Sequence, residues 1–448
     1  MQPASFPADR LPRPALLALA AALAVAAGCC LALRPALLAP LPFIALLVFP
    51  PARAAQVVLA AALIEGATAP FGEVVGMDPV FLGIWILVPL LYLSEGETFE
   101  GTYRPAVIAV LAYAGCLAFA NLLHEGAGGL THSLSLVNYL GAFFLTAMLA
   151  RKSPALVLPP LLGALAVHEL LAATELLTNS SWFYADWKTL QATKVDGITR
   201  VASTVADPNY FAVTLILLGA AGIALARRTR YEPVALALAA GAVLLLPFTF
   251  SRAAAIALVV AVLAWAVRAG MASAARIALR GAVLAAFAAL VIVVVAPQAP
   301  GALLSRYSPS QRSDASIQSR STLQKLGFQQ ALAHPLTGIG SGGFETKAKA
   351  TFDPTKPNNL QTDVLNTYLQ AWLAGGVVSL LAFAAALVLP TWQLIKRGLL
   401  LGFGFLGVAV ALLTLNGLTL IPLWCVLGIA AVVAASDGRG RRGTEAAA

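Results

Sequence analysis

Apolar runs long enough to cross a lipid bilayer fill most of this chain and leave it few ways to fold. A helix needs ~20 apolar residues to span, and only helices or closed barrels satisfy their backbone groups in hydrocarbon. The runs fall at about 14–33, 36–50, 54–66, 79–94, 105–123, 132–150, 154–178, 209–226, 233–249, 253–267, 276–296, 366–389, 399–414 and 418–435. Several early runs are short, and 36–50 with 54–66 reads as a broken pair. The expected fold class is all-α: a polytopic membrane helix bundle of 12–14 spans. Composition agrees, since 11% charged residues in 448 are too few to coat soluble domains.

Lysine and arginine in short loops set orientation. With fourteen spans, Arg10 and Arg13, Arg53, Arg104, Arg151 and Lys152, Arg227 to Arg230, Arg268 to Arg280, Lys396 and Arg397, and the tail arginines share one side. That side is the cytoplasm, with both termini inside, in a multi-pass protein of the cytoplasmic (inner) membrane. Arg34 is the exception, explained only by snorkelling. The net charge of +9 is mostly topogenic and shows no nucleic-acid signature. The four cysteines lie in apolar runs without metal-ligand spacing, so neither a metal nor another cofactor is expected.

On the outer side this leaves 179–208, 250–252 and one large extracytoplasmic loop, 297–365, expected to contain short helices. The loop carries seven cations against four carboxylates. Long loops escape the positive-inside rule, so their charge can reflect function. Four polar segments stand out. In the first, Arg200 precedes Asp207-Pro208, an N-cap with proline at the first helical position, and then Asn209. In the second, Ser251 caps a helix whose first turn holds Arg252, a cation set against the helix dipole. In the third, a surface helix from about Ser321 to Ala333 has Arg320 at its start. His334-Pro335 then leads into a turn with Gly338, Gly340, Gly342 and Gly343, whose amides can form an anion-binding concavity. The fourth runs from Asp363 through Asn366 and Tyr368 to Gly375-Gly376.

Each segment has a plain structural alternative. An interfacial arginine touches headgroups, a first-turn arginine pairs with a carboxylate, a glycine-rich turn simply turns, and Asp363 bridges to an arginine. Near span edges, Glu65, His168, Glu169 and Glu175 are ionisable and therefore functional candidates. Glu65 and Glu175 are expected to be wet, close to the outer interface. His124 and His132 flank an outer glycine-containing loop.

Taken together, the four segments resemble the O-antigen ligase and O-antigen polymerase superfamily of bacterial membrane glycosyltransferases. The matching order is Arg200 with Pro208 to Ala212, then Ser251 to Ala254, then Arg320 with His334 to Phe344. It ends with Asn366 to Gln370 and Gly375-Gly376. The resemblance covers roughly residues 200–390. It divides the chain into N-terminal membrane helices (1–178), a catalytic membrane region (179–435) and a basic cytoplasmic tail (436–448). Such enzymes usually carry histidine immediately before the Asn-x-Tyr-Leu motif, and here that position is Leu365.

The resemblance implies metal-independent transfer of a glycan from an undecaprenyl-diphosphate-linked donor to a glycan or lipid acceptor, among membrane lipids on the outer face. Arg200, Arg252, Arg320, Asp363 and His334 are the expected catalytic residues. Asn209, Asn366, Tyr368, Gly338 and Gly340 are the expected substrate-binding ones. Arginine suits a diphosphate because its planar fork pairs with phosphate oxygens. The alternatives are a non-catalytic relative that binds the lipid-linked glycan, and a transporter of it. No internal repeat supports the transporter.

Overall fold

The computed structural model describes residues 41–65, 79–95, 102–126, 129–180, most of 194–270, 315–351 and 364–435. The runs at 14–33 and 276–296, Asp363 and the basic tail lie outside the described residues. Among the described residues the protein is a bundle of fourteen α-helices with one two-stranded ribbon. These are α1 (Leu41–Val48), α2 (Pro51–Glu65), α3 (Pro79–Glu95), α4 (Arg104–Glu125), α5 (Gly129–Lys152) and α6 (Pro154–Thr178). Strands β1 (Lys194–Val195) and β2 (Ile198–Thr199) pair antiparallel and precede α7 (Pro208–Ala226), α8 (Glu232–Leu245) and α9 (Arg252–Ala269). Then come α10 (Ala315–Ala333), α11 (Gly343–Thr351), α12 (Thr367–Lys396), α13 (Leu400–Ala411) and α14 (Ile421–Ala435). The pair read at 36–50 and 54–66 is indeed broken, at Phe49-Pro50 between α1 and α2.

Helix starts follow local chemistry. Asp207 accepts from the amides of Asn209 (2.6 Å) and Tyr210 (3.3 Å), and Pro208 takes the first helical position of α7. Ser251 Oγ accepts from Ala254 N at 3.3 Å and caps α9. Inside, alanine and glycine let helices approach closely, as is usual between membrane helices. Gly404 of α13 lies against Ala220 of α7, and Gly407 against Ala257 and Ala261 of α9.

One end of the bundle is basic. There Arg268 Nη2 donates to Lys396 O at 3.2 Å, Arg397 Nη1 donates to Val433 O at 2.9 Å, and Gln393 reaches the Tyr103 hydroxyl. The C-termini of α9, α12 and α14 therefore meet the start of α4. The caps Asp207 and Ser251 lie at the opposite end.

The span expected at 366–389 takes a different form. Backbone torsions at Gly376 are non-helical (φ 79°, ψ −179°), and α12 folds back on itself there. The rings of Tyr368 and Phe383 are 6.0 Å apart, whereas fifteen residues of straight helix would separate them by ~22 Å. The amide of Thr367 donates to Leu412 O, just past the twelve-residue helix α13. Thr367 thus sits ~18 Å from the basic end, where thirty unbroken residues would carry it ~45 Å away. Residues 367–375 form a short re-entrant helix that dips into the bundle, and 377–396 form the span.

Candidate functional site

A broken helix exposes donors and acceptors that hydrocarbon cannot satisfy. At this break the turn after α10 supplies the partners. Ile339 N donates to Leu373 O (2.7 Å), and Val377 N donates to Pro335 O (2.8 Å). Trp372 Nε1 also donates to Pro335 O (3.1 Å). Gly376 must lack a side chain, because a Cβ there would run into the Leu336 carbonyl. The outer part of the same turn is pinned by α4. Ser341 N donates to Asn121 Oδ1 and Gly342 N to Glu125 Oε1, both at 2.8 Å. Gly338 N bonds His334 O. Two of the amides expected to cradle an anion, those of Gly338 and Gly342, are held by protein acceptors, one of them a carboxylate. Gly338 (φ 67°) and Gly340 (φ 78°) serve the turn, and Gly340 packs against Glu125.

The Arg200 segment is held from α6. Glu175 is fully buried, not wet as the sequence suggested, and its Oε2 accepts from Ala202 N and Ser203 N, each at 2.9 Å. His168 is also fully buried. Its Nε2 faces Leu63 O at 2.9 Å and must donate there, which leaves Nδ1 to accept from Ser203 Oγ at 3.0 Å. Ser203 adopts φ 52°, a strained torsion for serine that these bonds stabilise. Thr204 bonds Ile64 O, and Asn179 bridges Gly197 and Thr199 of the ribbon. So fixed, the Arg200 side chain, 8% exposed, donates from Nε to Thr249 O at 2.9 Å. Its Nη2 reaches Asn209 Oδ1 at 3.4 Å.

Arg252 begins α9 immediately after Ser251, whose amide bonds the Thr249 hydroxyl. The Arg200 and Arg252 segments therefore adjoin. Register along α13 relates them to the re-entrant helix. Gly407 packs at Ala257, so five residues outward, ~7.5 Å, Arg252 on α9 is level with Leu412 past α13. Leu412 O is where Thr367 N bonds. Arg252 and the start of the re-entrant helix flank the same end of α13.

Arg320 comes in on α10. This helix starts at Ala315, earlier than expected, so Arg320 lies in its second turn and is half-buried. It shares a face with Leu323, Gly327 and Ala331, which rest on Val364, Leu369 and Leu373. One turn on, Gln324 Nε2 donates to Leu365 O at 3.4 Å. The arginine is thus within about a turn of Leu365 and Asn366. Beside it opens a cleft of ≈ 470 Å³ lined by Ser321, Gln324, Lys325, Phe328, Gln329, Asn366 and Leu369.

A family model for O-antigen ligase matches residues 234–384. Over these residues the chain is similar to the O-antigen ligase family. The match takes in Arg252, Arg320, the glycine-rich turn and the helix break, and leaves Arg200 outside. No curated protein matches the chain.

Other expected site residues are placed as follows. Asn366 uses Oδ1 to cap the re-entrant helix at Leu369 N (3.0 Å). Tyr368 turns into the bundle, where its hydroxyl donates to Ala409 O at 2.9 Å, so it holds α13 rather than facing a cleft. His334 lies beyond the end of α10, ~21 Å along the helix from Arg320. Its ring is 6.2 Å from that of His124, which bonds Thr337 Oγ1. The length of α10 separates His334 from Arg320. Asn121 and Glu125 had not been singled out at all. Only their place at the outer end of an apolar run marked them.

Proposed function

We propose that this protein moves a glycan from an undecaprenyl-diphosphate carrier to an acceptor hydroxyl at the outer face of the cytoplasmic membrane. The match of residues 234–384 to an O-antigen ligase model supports a membrane glycosyltransferase of the ligase or polymerase class. The observation that carries the finer reading is the meeting of three arginine-bearing segments at one end of α13. Arg200 and Arg252 lie on adjoining segments there, and Arg320 lies a turn from Leu365. Cations held together in a partly desolvated place repel one another, and an anion between them removes that cost.

In the reaction the acceptor oxygen bonds to the anomeric carbon, the carbon–oxygen bond to the diphosphate breaks with its electron pair going to the diphosphate, and the hydroxyl proton passes to solvent water. The arginines stabilise the charge that develops on the departing diphosphate, a contribution that can dominate the barrier. Asn209 orients Arg200. Asp363, two residues before Leu365, is the proposed partner for the acceptor hydroxyl. A carboxylate near arginines is a weak base, so its role is mainly to orient. His334 is too far along α10 to act at the diphosphate.

Arg252→Ala is expected to lower glycan transfer by ~10²–10³-fold, the scale of losing one electrostatic stabiliser. Its membrane level should match wild type. Near-normal transfer in that variant would remove Arg252 from the site. Wild-type protein that binds lipid-linked glycan and transfers none would instead be a non-catalytic relative. The orientation is proposed with both termini cytoplasmic. A cysteine at Ser341 should then react with a membrane-impermeant thiol reagent from outside, and labelling only after permeabilisation would invert the topology.

A further inference from the structure

We infer that the cleft beside Asn366 holds the glycan next to its diphosphate and favours an acidic sugar through Lys325. This rests on the lipid-linked-glycan reading above. The cleft has the volume of an ordinary small-molecule site, which falls at roughly 300–1,000 Å³. Its walls also have suitable chemistry. Gln324 and Gln329 each carry both a donor and an acceptor, as the vicinal hydroxyls of a sugar require. Asn366 uses its Oδ1 as a helix cap, which leaves its NH2 as a donor. Phe328 is half exposed and stands edge-on to Trp372, with ring centroids 6.1 Å apart, so the cleft has an aromatic wall against which the apolar face of a sugar can lie.

Position makes the cleft a continuation of the arginine site. It begins at Ser321, next to Arg320, and runs to Gln329, ~12 Å farther along α10. A glycan leaving a diphosphate held at Arg320 would pass along it.

Lys325 sets the charge preference. Of the loop lysines among the described residues, Lys347 bonds Gln330 and Lys349 pairs with Glu345 at 2.5 Å. Lys325 is exposed, lines the cleft and has no carboxylate partner among the described residues. A lysine acts as a hydrated point charge, so it selects for negative charge without demanding a planar, two-pronged ligand.

The test uses full-length protein in nanodiscs and three soluble probes. These are a glucuronate-containing disaccharide, the neutral disaccharide of the same linkage, and inorganic pyrophosphate. Binding is read by ligand-observed NMR titration. The acidic disaccharide should bind about two- to fivefold tighter than the neutral one, as for an exposed ion pair. The difference should vanish in 1 M salt, where screening acts within ~3 Å. Lys325→Gln should make the two disaccharides equal and leave pyrophosphate binding unchanged, while Phe328→Ala should weaken both sugars. No binding of either sugar, equal binding by wild type, or an intact preference in Lys325→Gln would overturn the inference. So would loss of pyrophosphate binding in Lys325→Gln, which would move Lys325 to the diphosphate. A transfer assay separates this inference from the reading it rests on. Acidic preference without transfer keeps the sugar site and removes the reaction, whereas transfer without acidic preference removes the sugar site alone.

Discussion

The segment 200–205 and the turn 334–343 are both polar loops tied down by a carboxylate from an earlier long helix. Glu175 of α6 takes the amides of Ala202 and Ser203, and Glu125 of α4 takes the amide of Gly342. Their consequences differ. In the first loop the carboxylate fixes backbone, and the Arg200 side chain is left to reach Thr249 and Asn209 at the helix starts. In the second, backbone groups close the break in α12 and bind α4, and its histidine lies about twenty ångströms from Arg320. One loop presents a side chain to the proposed site; the other makes possible the re-entrant helix beside it.

The sharpest way to break this contrast is at Gly376. An alanine there needs φ 79° and places a Cβ against the Leu336 carbonyl. The strained torsion alone costs ~1–3 kcal/mol, and the clash adds to it. Gly376→Ala should lose most folded protein, measured as monodisperse material after detergent extraction. Normal yield and melting would mean that the fold-back is not the native form of α12.

Next in size is the carboxylate pair. Glu175→Ala leaves two buried amides without their acceptor, at ~1–3 kcal/mol each. It should lower the melting temperature and cut transfer per folded molecule, because Arg200 is then free to wander. Glu175→Gln keeps an oxygen acceptor and should restore much of both. Glu125 is only half-buried, so Glu125→Ala should cost about 1 kcal/mol and leave transfer per folded molecule close to wild type. Equal effects of the two alanines on transfer would erase the distinction between the loops.

Much of this was legible from local pattern. Asp207-Pro208 and Ser251 were read as caps because capping involves only the next three residues. The bounds of α6 agree with its apolar run for the same reason. The break at Gly376 was not legible, since 366–389 read as one span and the partners that close the break come from 335–339. Glu175 looked wet because its two amide donors lie about twenty-seven residues away. Asn366 was read as a substrate contact, although asparagine before a helix is first of all a cap. The separation of His334 from Arg320 was in the sequence all along, as fourteen helical residues.

The last expected change is a gain, and it concerns Leu365. The superfamily that this chain resembles usually carries histidine at that position. The backbone there has φ 50°, a left-handed torsion in which leucine is uncommon and histidine several-fold enriched. Leu365→His is therefore compatible with the fold, and it puts an imidazole at the start of the re-entrant helix, one residue before Asn366 and within about a turn of Arg320. A well-placed general base contributes ~10²–10⁴-fold; a newly introduced one, without tuned surroundings, should raise transfer about tenfold. The gain should carry a pH signature of definite sign. Imidazole accepts a proton only when neutral, so the excess over wild type should be present above its ordinary pKa of ~6.5 and disappear as pH falls through it. His334→Ala, made in the same background, should leave that limb in place. A variant with neither higher transfer nor a new acidic limb would show that position 365 does not face the acceptor hydroxyl, and Asp363 would have to be judged on its own substitution to Asn.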